Sequence, residues 1–192
     1  MFNYDYIDDV RYRYIKNRMG ENVTSLLSNI KKRFPTSKIY LVGSVIDFTF
    51  LKKFSDVDCC IQYSNKNDEI EITKYIYQQE NIKSLNKVIF KHTLTLLDKT
   101  NIINVYRCIF DNGEKLDINL IDYNALPIEK GRYASKGVFT KTCHYILKIC
   151  HNYKLINKKK MYKLKKHPLL TYDIHNEFGK YENTVIDNIK II

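Results

Sequence analysis

Apolar residues first recur at helical spacing over residues 21–33, where Val23, Leu26, Leu27 and Ile30, followed by Phe34, fall on one face. Lys31, Lys32 and Arg33 close that segment, at the end where the helix dipole favours cations, and Pro35 forces the chain out. Residues 3–19, rich in tyrosine with alternating charge, predict an earlier helix. The period then changes. Ile39–Val42 is a continuous apolar run, the signature of a strand covered on both faces. A second strand opens at Asp56 and continues to Gln62; Ile70–Gln79 returns to helical spacing; Val88–Leu97 is rich in β-branched and aromatic residues and predicts a strand. Ile103–Phe110 and Lys115–Ile121 flank Asp111-Asn112-Gly113-Glu114, whose Asn-Gly pair predicts a hairpin. Leu116, Ile118 and Leu120 then face one way, and Asp117, Asn119 and Ile121 the other. A last amphipathic helix carries Phe139, Cys143, Ile146, Leu147 and Cys150 along one face.

Three features of this pattern carry chemistry. Gly43-Ser44 ends the first strand; a glycine lets the backbone approach a ligand, and a helix starting at Val45 would point its free amides at an anion. Asp56 and Asp58 share a strand face, and two adjacent carboxylates repel unless a cation lies between them; a hard divalent ion such as Mg2+ suits oxygen ligands and also holds triphosphate oxygens. Asp117 is the acidic side chain inside the returning hairpin strand, opposite the leucines. Each alone is an ordinary turn, strand end or polar edge. In this order, each at its strand end, they predict converging carboxylates.

Charge changes the picture of the C-terminal third. The chain of 192 residues has a net charge of +11, yet residues 130–192 hold 14 Lys+Arg against 4 Asp+Glu, while the first 129 hold 18 against 17. Such asymmetry predicts a surface for a polyanion, nucleic acid before membrane, with a solvated lysine-rich face as the alternative. The 44% apolar share indicates a globular chain, and no apolar run is long enough to span a bilayer. The acidic, aromatic N-terminus is unlike a secretion signal, and five cysteines without a disulfide framework predict reduced thiols and an intracellular setting. Cys143-His144 and Cys150-His151 repeat at seven residues, a spacing better suited to packing cysteines, with histidines at the margin or on a phosphate backbone, than to zinc. Cys59-Cys60 are expected to alternate between core and site wall. Lys158-Lys159-Lys160 with Tyr162, Lys163, Lys165 and Lys166 interleaves cations and an aromatic ring, as a nucleic-acid surface does.

Gly-Ser, then Asp-Val-Asp, then an isolated Asp in a later strand resembles the nucleotidyltransferase superfamily of DNA polymerase beta. Tyr133-Ala134-Ser135-Lys136-Gly137, the helix after it and Asn152–Asn157 further resemble the palm end and fingers of family X DNA polymerases, most closely the minimal two-domain members known from large DNA viruses, with a final helix expected last. Val45-Ile46-Asp47 stand where family X carries triphosphate-binding arginines, and Ser-Lys-Gly replaces its Thr-Gly-Ser.

The resemblance implies an α+β fold: a mixed polymerase beta palm sheet with helices over residues 1–127, then a small, basic, mostly helical fingers-like domain over 128–192. It implies that Asp56, Asp58 and Asp117 are catalytic and hold two Mg2+ ions, or Mn2+. Gly43, Ser44, Lys53 and Tyr133 would contact the nucleotide, and Lys136, Lys141, Lys148, Lys158, Lys159 and Lys160 the nucleic acid. The implied activity is transfer of a nucleoside monophosphate from a triphosphate to a nucleic-acid 3′ hydroxyl by a monomeric repair DNA polymerase. The alternatives are a non-templated transferase acting on RNA or a protein hydroxyl, and a silent nucleic-acid-binding subunit.

Overall fold

The computed structural model describes residues 2–3, 15–46, 50, 55–94, 99–122, 138–165 and 181–189. After β1 (Phe2–Asn3) come α1 (Glu21–Arg33), β2 (Lys38–Val42), a 3-10 turn (Gly43–Ile46), β3 (Val57–Tyr63) and α2 (Lys66–Tyr77). Then come β4 (Ile82–Leu94), β5 (Lys99–Phe110), β6 (Lys115–Asp122), α3 (Val138–Asn152), α4 (Lys158–Lys165) and β7 (Tyr181–Ile189). The strands form one sheet in the order β1-β2-β3-β6-β5-β4-β7. Among the described residues only the β3–β6 pairing is parallel, so the α+β mixed sheet is as expected.

Strand alternation divides the buried residues into two layers. Val57, Cys59 and Ile61 of β3, with Leu116, Ile118 and Leu120 of β6, join Val23, Leu26, Leu27 and Ile30 of α1 and Ile72 and Ile76 of α2. The opposite face keeps a smaller cluster of Val42, Cys60, Val88, Ile103, Val105 and Ile121. Cys59 and Cys60 are therefore both wholly buried, one in each layer, and neither forms a site wall. Asn119, buried on the sparser face, donates to the Cys59 carbonyl at 2.9 Å and ties β6 to β3.

Two long-range polar contacts set the helices on the sheet. Glu114 of the β5–β6 turn accepts from the Val23 amide at 3.0 Å, supplying from 91 residues away the cap that α1 lacks locally. Gly20, the residue before α1, leaves room for the Glu114 carboxylate, which a Cβ there would have to displace. In α2, Asn65 caps the Asp68 amide at 2.9 Å, and buried Glu69 accepts from Asn104 at 2.7 Å and from Lys66. Burial alone would raise the Glu69 carboxyl, but hydrogen bonds from Lys66, Asn104 and Tyr63 outweigh it and hold the group below the usual range.

Several expected elements differ. β4 begins six residues before Val88, because pairing with both β5 and β7 carries the strand through the polar positions that interrupt its apolar pattern. The turn after β2 is a single 3-10 segment, too short for an aligned helix dipole; it offers individual amides only. On α3 the expected apolar face is only partly covered: Phe139 is 72% exposed and Ile146 52%, while Cys143, Leu147 and Cys150 are half-buried. The expected final helix is instead β7 over 181–189, paired with β4. Of the predicted helix over 3–19, Asn3 lies in β1 and 15–18 are helical; 4–14 lie outside the described residues.

Candidate active site

Sheet register builds the site. Val42, the last residue of β2, pairs with Asp58, so the chain turns at Gly43 directly beside that carboxylate. Gly43 has φ +71°, and a Cβ there would overlap Asp58 Oδ2; conformation and space both require glycine. On the other side, parallel pairing sets Asp58 against Asp117. Asp56 lies one residue before β3. The two parallel strands start at the same end of the sheet, so their first carboxylates share it. Across β5, Asp117 faces Arg107, whose Nε is 3.2 Å from Asp117 Oδ2.

These carboxylates open onto a cavity of about 370 Å³. Ser44, Ser55, Asp56, Asp58 and Asp117 line one side; Arg107 and Lys115 come from the hairpin; Lys148 and His151 come from α3 and Lys158, Met161, Tyr162 and Lys165 from α4. Lys148 Nζ donates to Ser55 Oγ at 2.9 Å and so joins α3 to the Asp56 loop. His151 Nδ1 is 3.0 Å from the Ile156 carbonyl, steadying the α3–α4 turn. The Nζ atoms of Lys158 and Lys165 stand 5.9 and 5.7 Å from the Tyr162 ring centre, within cation–π range.

The electrostatics follow from this crowding. Burial first, and then the neighbouring charge of Asp58, push the Asp117 carboxyl up to about 7, against the opposing effect of Arg107. Burial and the Asp56 charge likewise raise the Tyr162 hydroxyl. The donors fit a divalent ion in kind: they are hard carboxylate oxygens, two of them adjacent and mutually repelling. Asp56 flanks that pair in the same cavity, but among the described residues no three His, Cys, Asp or Glu side chains close into a metal cluster. The cations on the facing walls complement a polyphosphate.

Of the expected site residues, Ser44, Asp56, Asp58, Asp117, Lys148 and Lys158 line the cavity, with Gly43 beneath Asp58. Lys159 and Lys160 are solvent-exposed on α4, and Lys141 is half-buried on α3; none of these three lines it. Lys53, Tyr133 and Lys136 lie outside the described residues. Arg107, Ser55 and Lys115 were not foreseen, whereas Tyr162 and Lys165, expected on a nucleic-acid surface, and His151, expected at a margin or on a phosphate backbone, line the cavity as well. Arg107 was legible in principle: it and Asp117 are equidistant from Asn112 at the hairpin turn.

Residues 8–131 match the family described as poly(A) RNA polymerase, mitochondrial-like, central palm domain. The chain belongs to that family. This places β2 to β6, which carry the carboxylates, in a nucleotidyltransferase palm, the superfamily to which the sequence motifs pointed, on its poly(A) RNA polymerase side. No curated protein matches the chain. Among solved structures, the chain is similar to a cytoplasmic RNA terminal U-transferase at 14% identity and a TM-score of 0.37, over 81% of this chain and 47% of that one. It is also similar to small alarmone synthetase 1 from Bacillus subtilis, bound to its product pppGpp, at 10% identity and a TM-score of 0.22, over 80% of this chain and 70% of that one. The chain thus spans about half the length of the terminal U-transferase. Among the described residues of this palm-family chain, no helix is long and apolar enough to cross a membrane.

Proposed function

We propose that this chain transfers a nucleoside monophosphate from a nucleoside triphosphate to the 3′ hydroxyl of an RNA strand. The observation that carries the reading is the Asp58–Asp117 pair, set beside the Gly43 turn and facing a lysine-lined wall, within a palm of the poly(A) RNA polymerase-like family. Asp56, Asp58 and Asp117 would hold Mg2+, which when bound supplies Lewis-acid stabilisation of charge on the phosphoryl oxygens. Asp117, beside Asp58 in the same cavity, accepts the proton of the attacking hydroxyl. The hydroxyl oxygen bonds to the α-phosphorus as the bond from that phosphorus to the leaving oxygen breaks, and pyrophosphate departs. Lys148, Lys158 and Lys165 offset the triphosphate charge, and Ser44 donates from the Gly43 turn. The Tyr162 ring offers a flat face to a base, and exposed Lys159 and Lys160 meet the strand backbone. In this reading α3 and α4 contribute the basic wall that faces the palm's carboxylates, while β7 returns to the sheet beside β4.

The test is extension of a labelled single-stranded RNA and of a one-nucleotide-gapped DNA, with Mg2+ and each NTP or dNTP singly. Addition of NTPs to the RNA is expected. Addition of only the complementary dNTP to the gap would instead make the chain the templated repair polymerase that the family X resemblance implies. No product on either would overturn the assignment in favour of a protein acceptor or a binding role. Neutralising Lys158, Lys159 and Lys160 together should weaken RNA binding and flatten its salt slope by about two to three units; an unchanged slope removes that cluster from the interface.

A further inference from the structure

Arg107 is a strand residue that no motif singles out, yet it is the cation set directly against Asp117. The Asp117 side chain is only 17% exposed, while that of Arg107 is 49% exposed, so the pair lies at the cavity edge with the guanidinium on the wetter side. Asp117 therefore stands in the sheet between an anion on β3, Asp58, and a cation on β5. The guanidinium contacts a carboxylate that a divalent ion at this site would also use, and its charge-assisted bond to that largely buried group competes with the ion. The side chain also lines the cavity, so once displaced it remains facing the polyphosphate space.

We infer that Arg107 is a resident counter-cation of the aspartate site: it neutralises Asp117 before a divalent ion arrives, competes with that ion, and on displacement turns its charge to the triphosphate. It is a positioning residue, acting through Asp117, and the inference rests on the functional reading above. It makes metal and nucleotide binding cooperative, because the ion releases a cation that the triphosphate then uses.

The experiment is Mn2+ binding to the full chain without nucleotide, followed by electron paramagnetic resonance, for wild type, Arg107→Gln, Arg107→Lys and Asp58→Asn. The neutral variant should bind Mn2+ about three- to tenfold more tightly, the scale of one part-exposed ion pair. The lysine variant, which keeps the charge, should stay near wild type and serves if the glutamine variant fails to fold. A triphosphate should then tighten Mn2+ binding less in Arg107→Gln than in wild type. Equal Mn2+ affinity in wild type and Arg107→Gln, with binding lost in Asp58→Asn, would overturn the role of Arg107 while leaving the metal site standing. No Mn2+ binding by wild type would overturn the metal-dependent reading itself.

Discussion

The two faces of the sheet are built on opposite terms. Among the described residues, one face joins a core of twenty-two buried residues that includes those of α1 and α2; the other keeps six, and its remaining positions carry Asp58, Asp117, Arg107 and the buried amide of Asn119. Both come from the same strands, one residue apart. In β6, Leu116, Ile118 and Leu120 belong to the first layer, whereas Asp117 and Ile121 belong to the second. The difference teaches that stability and chemistry are separated here by strand alternation, not by domain. The packed face can hold the strands in register while the other tolerates two adjacent carboxylates.

The separation can be broken at several points. Asp58→Asn should lower nucleotidyl transfer roughly 10³-fold or more while leaving the melting temperature at or above wild type, because it removes a repelling charge and no packing; retained turnover in the assay above would sink the metal assignment. On the other face, Leu27→Ala should cost about 2–5 kcal/mol of stability, read by urea melting, and affect activity only through the unfolded fraction. Asp117→Asn sharpens the contrast through pH. With its folded carboxyl at about 7, above the ordinary value, Asp117 contributes stability that is fully present below pH 4 and lost as pH rises through 7. In protein stripped of divalent ions, the asparagine variant should therefore gain on wild type as pH rises from 4 to 8, by at most about 4 kcal/mol, less what loss of the Arg107 pair costs. A pH-independent difference would contradict the crowding of charge at the site. The smallest effect is expected at the Glu114 cap: Glu114→Ala should cost about 1 kcal/mol and leave metal binding unchanged.

Much of this contrast was legible in the sequence, because it depends on period. Alternation in Lys115–Ile121 placed Asp117 opposite the leucines, and the helical spacing of Val23, Leu26, Leu27 and Ile30 identified the layer that covers them. The Gly43-Ser44 turn and Asp58 were legible for the same reason. What was hidden depends on partners distant along the chain. The Lys148–Ser55 bond spans 93 residues, and β4–β7 pairing joins segments about 90 residues apart. Neither leaves a local periodic trace. On α3 the spacing of Phe139 and Ile146 was read correctly as one face, but amphipathicity says only that such a face exists, not that it is covered. Cys60 was misplaced because a residue opposite the main core need not be at the surface when a second apolar layer lies there.

The Glu114 cap has a consequence for how the site is assembled. Glu114 stands three residues before Asp117 in the same hairpin, and its carboxylate, held also by Asn112, lies against the side-chain-free Gly20 and accepts from the Val23 amide. A slip of β6 by one residue would turn Asp117 into the leucine layer and at the same stroke pull Glu114 off its helix. The cap is thus a mechanical index pin: α1 can seat fully only on a hairpin whose carboxylate already faces the right way, so misthreaded chains are penalised before any substrate is met.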